Sequence, residues 1–141
     1  MDGAGGSRYG DAAAIRALAA RLREQAAEVA AEADRLARLA EATGWTGLAA
    51  DAMRDRAHDG ARALRRTAGL HEDAAEALDR HAAEVQRRTE LVAAAERTFE
   101  ALVDAARDRL GGLVDRFLDQ VAPPPSGHRD WLTFELPGFL R

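Results

Sequence analysis

Apolar residues return at every seventh position over most of this chain. Ile15, Leu22, Val29 and Leu36 form one series, and Leu18 and Leu39 lie on a second, with Gln25 and Glu32 between them. A later series runs Leu64, His71, Leu78, Val85, Val92, Phe99, Ala106 and Leu113. A seven-residue repeat puts its members on one stripe of an α-helix, and the stripe must be buried against another helix. The chain is therefore expected to be all-α.

The helix limits follow from local signals. Asp11 stands before "AAAIRALAARL" and can cap a first helix over about 11–43. Gly44 can end that helix in a left-handed conformation. In "GWTG", residues 44–47, Thr46 then caps a second helix over about 48–110, with Gly47 just inside it. Alanines 61, 68, 75 and 82 each precede a member of the later series by three residues, and side chains this small allow close helix approach. Gly111-Gly112 breaks the helix, a short one over 113–121 follows, and "PPP" prevents further helix.

The connection between the two long helices is so short that they must fold back antiparallel. At 1.5 Å per residue the first spans roughly 45 Å and the second, if unbroken, roughly 90 Å. Either the second breaks, at Gly69 or in "QRRTE" (86–90), or its far half packs on something else. One hairpin with one stripe cannot enclose a core. The expected architecture is thus an antiparallel helical hairpin that pairs into a four-helix bundle. Its partner interface is Ile15, Leu18, Leu22, Val29, Leu36, Leu64, Leu78, Val85, Val92 and Phe99.

Composition supports helices and narrows the function. Alanine supplies 34 of the 141 residues, and all 20 basic residues are arginine. Acids interleave with the arginines and the net charge is −4, so no basic stripe for nucleic acid forms. Arginine faces beside an apolar stripe could lie on anionic lipid, but the equal supply of acids argues against a membrane partner. No apolar run reaches the roughly 18 residues of a membrane span. "MDGAGGSRYGD" lacks a basic region followed by an apolar core, so no classical signal peptide is expected, and residues 1–10 are expected to be disordered.

No catalytic constellation, cofactor motif or metal site is legible. There is no cysteine. Asp55-x-x-His58 has a di-iron-like spacing without a second copy. His71 and His81 fall on the stripe of the second helix, where a seam-edge position reaching water is expected. The chain reads as a non-enzymatic module.

On the residues alone, Trp45 reads as a plug that closes the end of the hairpin. The arrangement also resembles a family. A helix, the turn Trp45-Thr46-Gly47, and a second helix opening "LAADAMRDRA" resemble the WXG-type, ESAT-like substrates of bacterial type VII (ESX) secretion, over residues 11 to 90. The resemblance implies a helical hairpin that forms homo- or heterodimeric four-helix bundles with another WXG-type protein. It implies Trp45, Thr46 and Gly47 as recognition residues. It further implies export, with a type VII effector and the secretion ATPase as partners, and a secreted or cell-surface location by that route; without it the location is cytoplasmic. Two features depart from the pattern. The family's Tyr-x-x-x-acid signal after the second helix is missing: the one tyrosine is Tyr9, with Ala13 in the acid position. Phe99 is followed by Val103, with Asp104 one step late, and Phe117 by Val121. The second helix and tail are also longer than in a single-hairpin member. The alternative is a generic helical-bundle or coiled-coil scaffold unrelated to secretion.

A Pro-rich linker, 122–130, precedes an aromatic tail, 131–141. Leu132, Phe134 and Leu136 alternate with Thr133 and Glu135, an extended pattern. The tail either folds back over the long helix, or begins a further domain, or is a recognition segment. In the last case Trp131, Phe134 and Phe139 would be captured by a partner.

Overall fold

The computed structural model describes residues 10–141. The expectations for residues 1–9, Tyr9 included, lie outside the described residues. Helix α1 spans Ala12–Ala42, α2 spans Leu48–Leu110 and α3 spans Leu113–Leu118; single 3-10 turns follow at Arg129–Leu132 and Gly138–Leu140. The fold is all-helical, with α2 about twice the length of α1. Gly69 and residues 86–90 lie within α2, which is unbroken to Leu110. Alanine-rich sequence explains this: alanine loses least on entering a helix, and one interior glycine costs only about 1 kcal/mol. Two compact units are built on this framework, one of residues 13–82 and one based on residues 83–141.

The first unit is an antiparallel hairpin. Cross-helix polar contacts fix its sense: Glu41 meets His58 (2.6 Å), and ion pairs join Asp34 to Arg65 (2.8 Å) and Arg23 to Asp79 (2.7 Å). As one helix climbs, the other descends. These pairs are exposed and each contributes at most about 1 kcal/mol, so they set register more than stability.

The contact between α1 and α2 is made of alanine. Ala19, Ala26, Ala33 and Ala40 are buried on α1, facing Ala50, Ala61, Ala68, Ala75 and Ala82 on α2. The larger residues named as a partner interface lie beside this contact. Ile15, Leu22, Val29, Leu36, Leu64 and Leu78 are only half-buried, and Leu18 is 46% exposed. The reason is geometric. Two rows of methyl groups let the helix axes approach closely, so branched side chains are pushed to the flank. The close approach is visible at Gly60, where an added Cβ would sit 3.4 Å from Leu36 Cδ2.

The turn also differs from expectation. Gly44 is not left-handed; Gly47 is, with φ of 102°. Gly47 does not sit inside α2. It precedes the helix, and its carbonyl accepts the first helical bond from the Asp51 N–H (3.0 Å), which makes it, rather than Thr46, the capping position. The C-terminus of α1 is closed by side chains instead of glycine. Thr43 Oγ1 donates to the Leu39 carbonyl (3.0 Å), and Arg54 Nη2 donates to the carbonyls of Thr43 (2.8 Å) and Trp45 (2.5 Å).

The second unit folds the end of α2, α3 and the tail around one apolar cluster. Val92, Phe99, Val103, Ala106, Val114, Trp131 and Leu140 form its core. Gly111, at φ of 60°, ends α2 with its N–H on the Arg107 carbonyl (2.8 Å), which frees α3 to turn away. The short helix stops at Leu118, earlier than expected, and continues as turns through Val121.

Candidate functional site

The hairpin unit carries an apolar face that its own packing leaves half-covered. On α1 each flanking residue precedes a buried alanine by four: Ile15 and Ala19, Leu22 and Ala26, Val29 and Ala33, Leu36 and Ala40. On α2 the offset is the same: Leu64 and Ala68, His71 and Ala75, Leu78 and Ala82. A step of four residues rotates a position about 40° around a helix. In two antiparallel helices with facing alanine rows, equal offsets put both flanking rows on the same side of the hairpin. The sequence-expected residues Ile15, Leu22, Val29, Leu36, Leu64 and Leu78 are thus brought together as one face. Leu18 and Leu39, 46% and 57% exposed, lie beyond its α1 edge.

His71 sits in this face, half-buried, with Nδ1–H donating to the Thr67 carbonyl of its own helix (2.9 Å), whereas His81 is exposed. His58, half-exposed, is held by Glu41, and among the described residues no group of three or more metal-ligating side chains forms.

At the hairpin tip the aromatic does not act as a plug. Trp45 is 69% exposed and Leu48, one turn on, is 90% exposed. Arg54 explains how such a tip keeps its shape. One guanidinium nitrogen binds two free carbonyls of the turn, those of Thr43 and Trp45, so the backbone on either side of Gly44 is pinned to α2. Thr46 and Gly47 complete the tip but bury nothing. Arg54 escaped the sequence reading because its partners are backbone atoms, which carry no residue signature.

In the second unit Val85, Val92 and Phe99 are buried within their own chain. The tail is the reason for Phe99. Trp131, 7% exposed, lies against Phe99 with ring centroids 5.3 Å apart, and Phe134 meets both rings edge-on at 5.5 and 5.3 Å. Phe139 stacks on Phe117 at 5.2 Å. No strand forms where the alternation was read as extended: residues 133–136 are a turn and irregular chain between the two 3-10 turns, and the aromatics lie against α2 and α3. Polar bonds hold the fold-back: Trp131 Nε1–H donates to the Pro125 carbonyl (3.0 Å), and the Gly127 N–H donates to Glu96 Oε1 (3.2 Å). The alternation failed as a signal because packing of Trp131 and Phe134 on Phe99, and of Phe139 on Phe117, outweighs a weak period-two preference.

Among the described residues, Glu84 is the one carboxylate held well away from its ordinary range. Hydrogen bonds from Arg87 and then Arg88, with their charges, lower it from 4.5 to about 2, and Arg87 is raised in turn. This is a surface ion cluster on one helix rather than a reactive centre. Among the described residues no helix is long and apolar enough to cross a membrane. No family model, curated protein or solved structure matches the chain.

Proposed function

We infer that this chain is a protein–protein interaction module that works by helical association. The observation that carries this reading is the half-covered face of Ile15, Leu22, Val29, Leu36, Leu64 and Leu78. The hairpin's own contact uses methyl groups, so the larger side chains remain for another pair of helices. A second hairpin on that face, from the same chain or a related one, makes a four-helix bundle and removes the stripe from water.

The test is a Leu22→Glu, Leu78→Glu double variant, followed by sedimentation of it and the parent. The parent should sediment as a dimer, or form one with its partner hairpin, and the variant should be monomeric with its helix content retained. A parent that stays monomeric alone and with candidate partner hairpins would count against the reading.

A second, finer reading has one specific observation in its favour. Trp45 projects from a tip that Arg54 holds in place, which suits a recognition knob better than a plug. The WXG-like turn Trp45-Thr46-Gly47 then serves type VII secretion, with the chain acting as substrate, effector targeting domain or export companion. Its partners would be another WXG-type protein, an effector and the secretion ATPase. Trp45→Ala separates the two readings: loss of export to the medium with the dimer intact supports secretion, and unchanged export leaves the general module.

A further inference from the structure

A groove of about 440 Å³ opens in the second unit between α2, α3 and the start of the proline segment. Its volume falls within the roughly 300–1,000 Å³ of ligand-holding clefts. Phe99 and Val103, both buried core residues, form its apolar lining together with the half-buried Leu118 and with Pro123. The rim is acidic: Glu100, Asp104 and Asp119 line it, against the single cation Arg107.

That cation is already engaged. Arg107 Nη2 lies 3.1 Å from Asp115 Oδ1, and Nη1 lies 3.9 Å from Asp104. Glu100 and Asp119 have no ion-pair partner among the described residues. Asp34 and Asp79 of the hairpin, by contrast, are matched by arginines across the helices. In the groove, unmatched carboxylates stand over apolar carbon.

We propose that this groove docks a short basic, apolar peptide segment of a partner protein. A leucine or phenylalanine side chain enters against Phe99, Val103 and Leu118, and a neighbouring arginine or lysine reaches Glu100 and Asp119. The charge pattern selects this occupant. An acidic segment would meet like charge at the rim, and a purely apolar one would leave the carboxylates facing an uncharged partner. The apolar lining supplies area removed from water, while the rim supplies orientation and on-rate. The inference is independent of the hairpin face, since every lining residue belongs to the second unit.

The experiment uses the full chain and a fluorescein-labelled peptide of alternating leucine and arginine, about ten residues long. Binding is read by fluorescence anisotropy and located by amide chemical-shift mapping. The peptide should bind, with the largest shifts at Val103, Leu118 and Asp119 and with weakening as salt is raised. Glu100→Gln with Asp119→Asn should weaken binding about tenfold, since two exposed charge pairs are removed. Both side chains are exposed, so circular dichroism should be unchanged. The same peptide with glutamine in place of arginine should bind as weakly to the parent as the arginine peptide does to the double variant. Failure of the parent to bind overturns the proposal. So does equal binding of the glutamine peptide, indifference to the double variant, or shifts confined to the hairpin unit.

Discussion

Replacing Ala33 by leucine discriminates between a seam of leucines and a seam of alanines. Ala33 has no exposed surface and lies midway along the α1 row, facing the Ala61 and Ala68 row of α2. An isobutyl group there has no void to enter, so α1 must lift or the side chain must leave its preferred rotamer. Overpacking of this kind costs about 1–3 kcal/mol. Helix propensity offers no compensation, because alanine is already the best helix former. If instead the half-buried row of Leu22, Val29 and Leu36 were the contact, position 33 would be peripheral. An added leucine would then bury more apolar area and stabilise by up to about 2 kcal/mol. The two views differ in sign. Hydrogen exchange of the α1 amides is the suitable assay, since it reports on the hairpin unit alone even if the other unit melts separately. Ala27→Leu, at an exposed position on the same helix, serves as control and should change little, within about 0.5 kcal/mol. Both are measured at low protein concentration, where association adds no stability. Ala33→Leu protection equal to or above that of the control would refute the alanine seam.

The glycines of α2 offer a matched pair. Gly69→Ala meets open space and Gly60→Ala meets the mobile end of Leu36 at 3.4 Å, so each should raise α2 stability by about 0.5–1 kcal/mol in urea melts. A loss at Gly60 alone would mean the helices approach more closely than described. Trp131→Ala should lower the stability of the second unit by about 3–5 kcal/mol, since it removes a buried ring and its bond to the Pro125 carbonyl. Limited proteolysis within 122–130 should accelerate, while exchange in α1 stays unchanged. Glu84 should titrate near 2 instead of 4.5 when its carboxyl is followed by NMR, and return towards 4.5 in Arg87→Ala. Because its folded value lies below the unfolded one, the small stabilisation it brings is present above about 4.5. It fades as pH falls towards 2, and salt should weaken it.

Much of the fold was legible because it is periodic or punctuated. Seven-residue spacing announced the helices, Gly111 marked the end of α2, and a short turn required an antiparallel return. The alanine row of α2 was visible as a spacing too. Its small side chains allowed a close helix approach, but which helix they would meet was not visible. Only its meeting with the Ala19, Ala26, Ala33 and Ala40 row of α1 makes it a contact. The candidate site was legible as a list of residues and not as a surface. Ile15, Leu22 and Leu64 were named as an interface, but their shared side of the hairpin depends on which faces the two helices turn to each other. Arg54 and the groove beneath Glu100 and Asp119 left no mark in the sequence at all. The first acts on backbone carbonyls, and the second exists only where α3 and Pro123 come to rest beside α2.

By itself, then, the sequence determined element type and order, because helix propensity, glycine breaks and proline stops act locally. Tertiary structure decided which side chains became core. Methyl rows brought the hairpin helices together and turned the leucines into an outer face, and the aromatic tail settled on Phe99 instead of standing free. Both outcomes depend on competition for apolar surface between residues far apart in the chain, which no local pattern records.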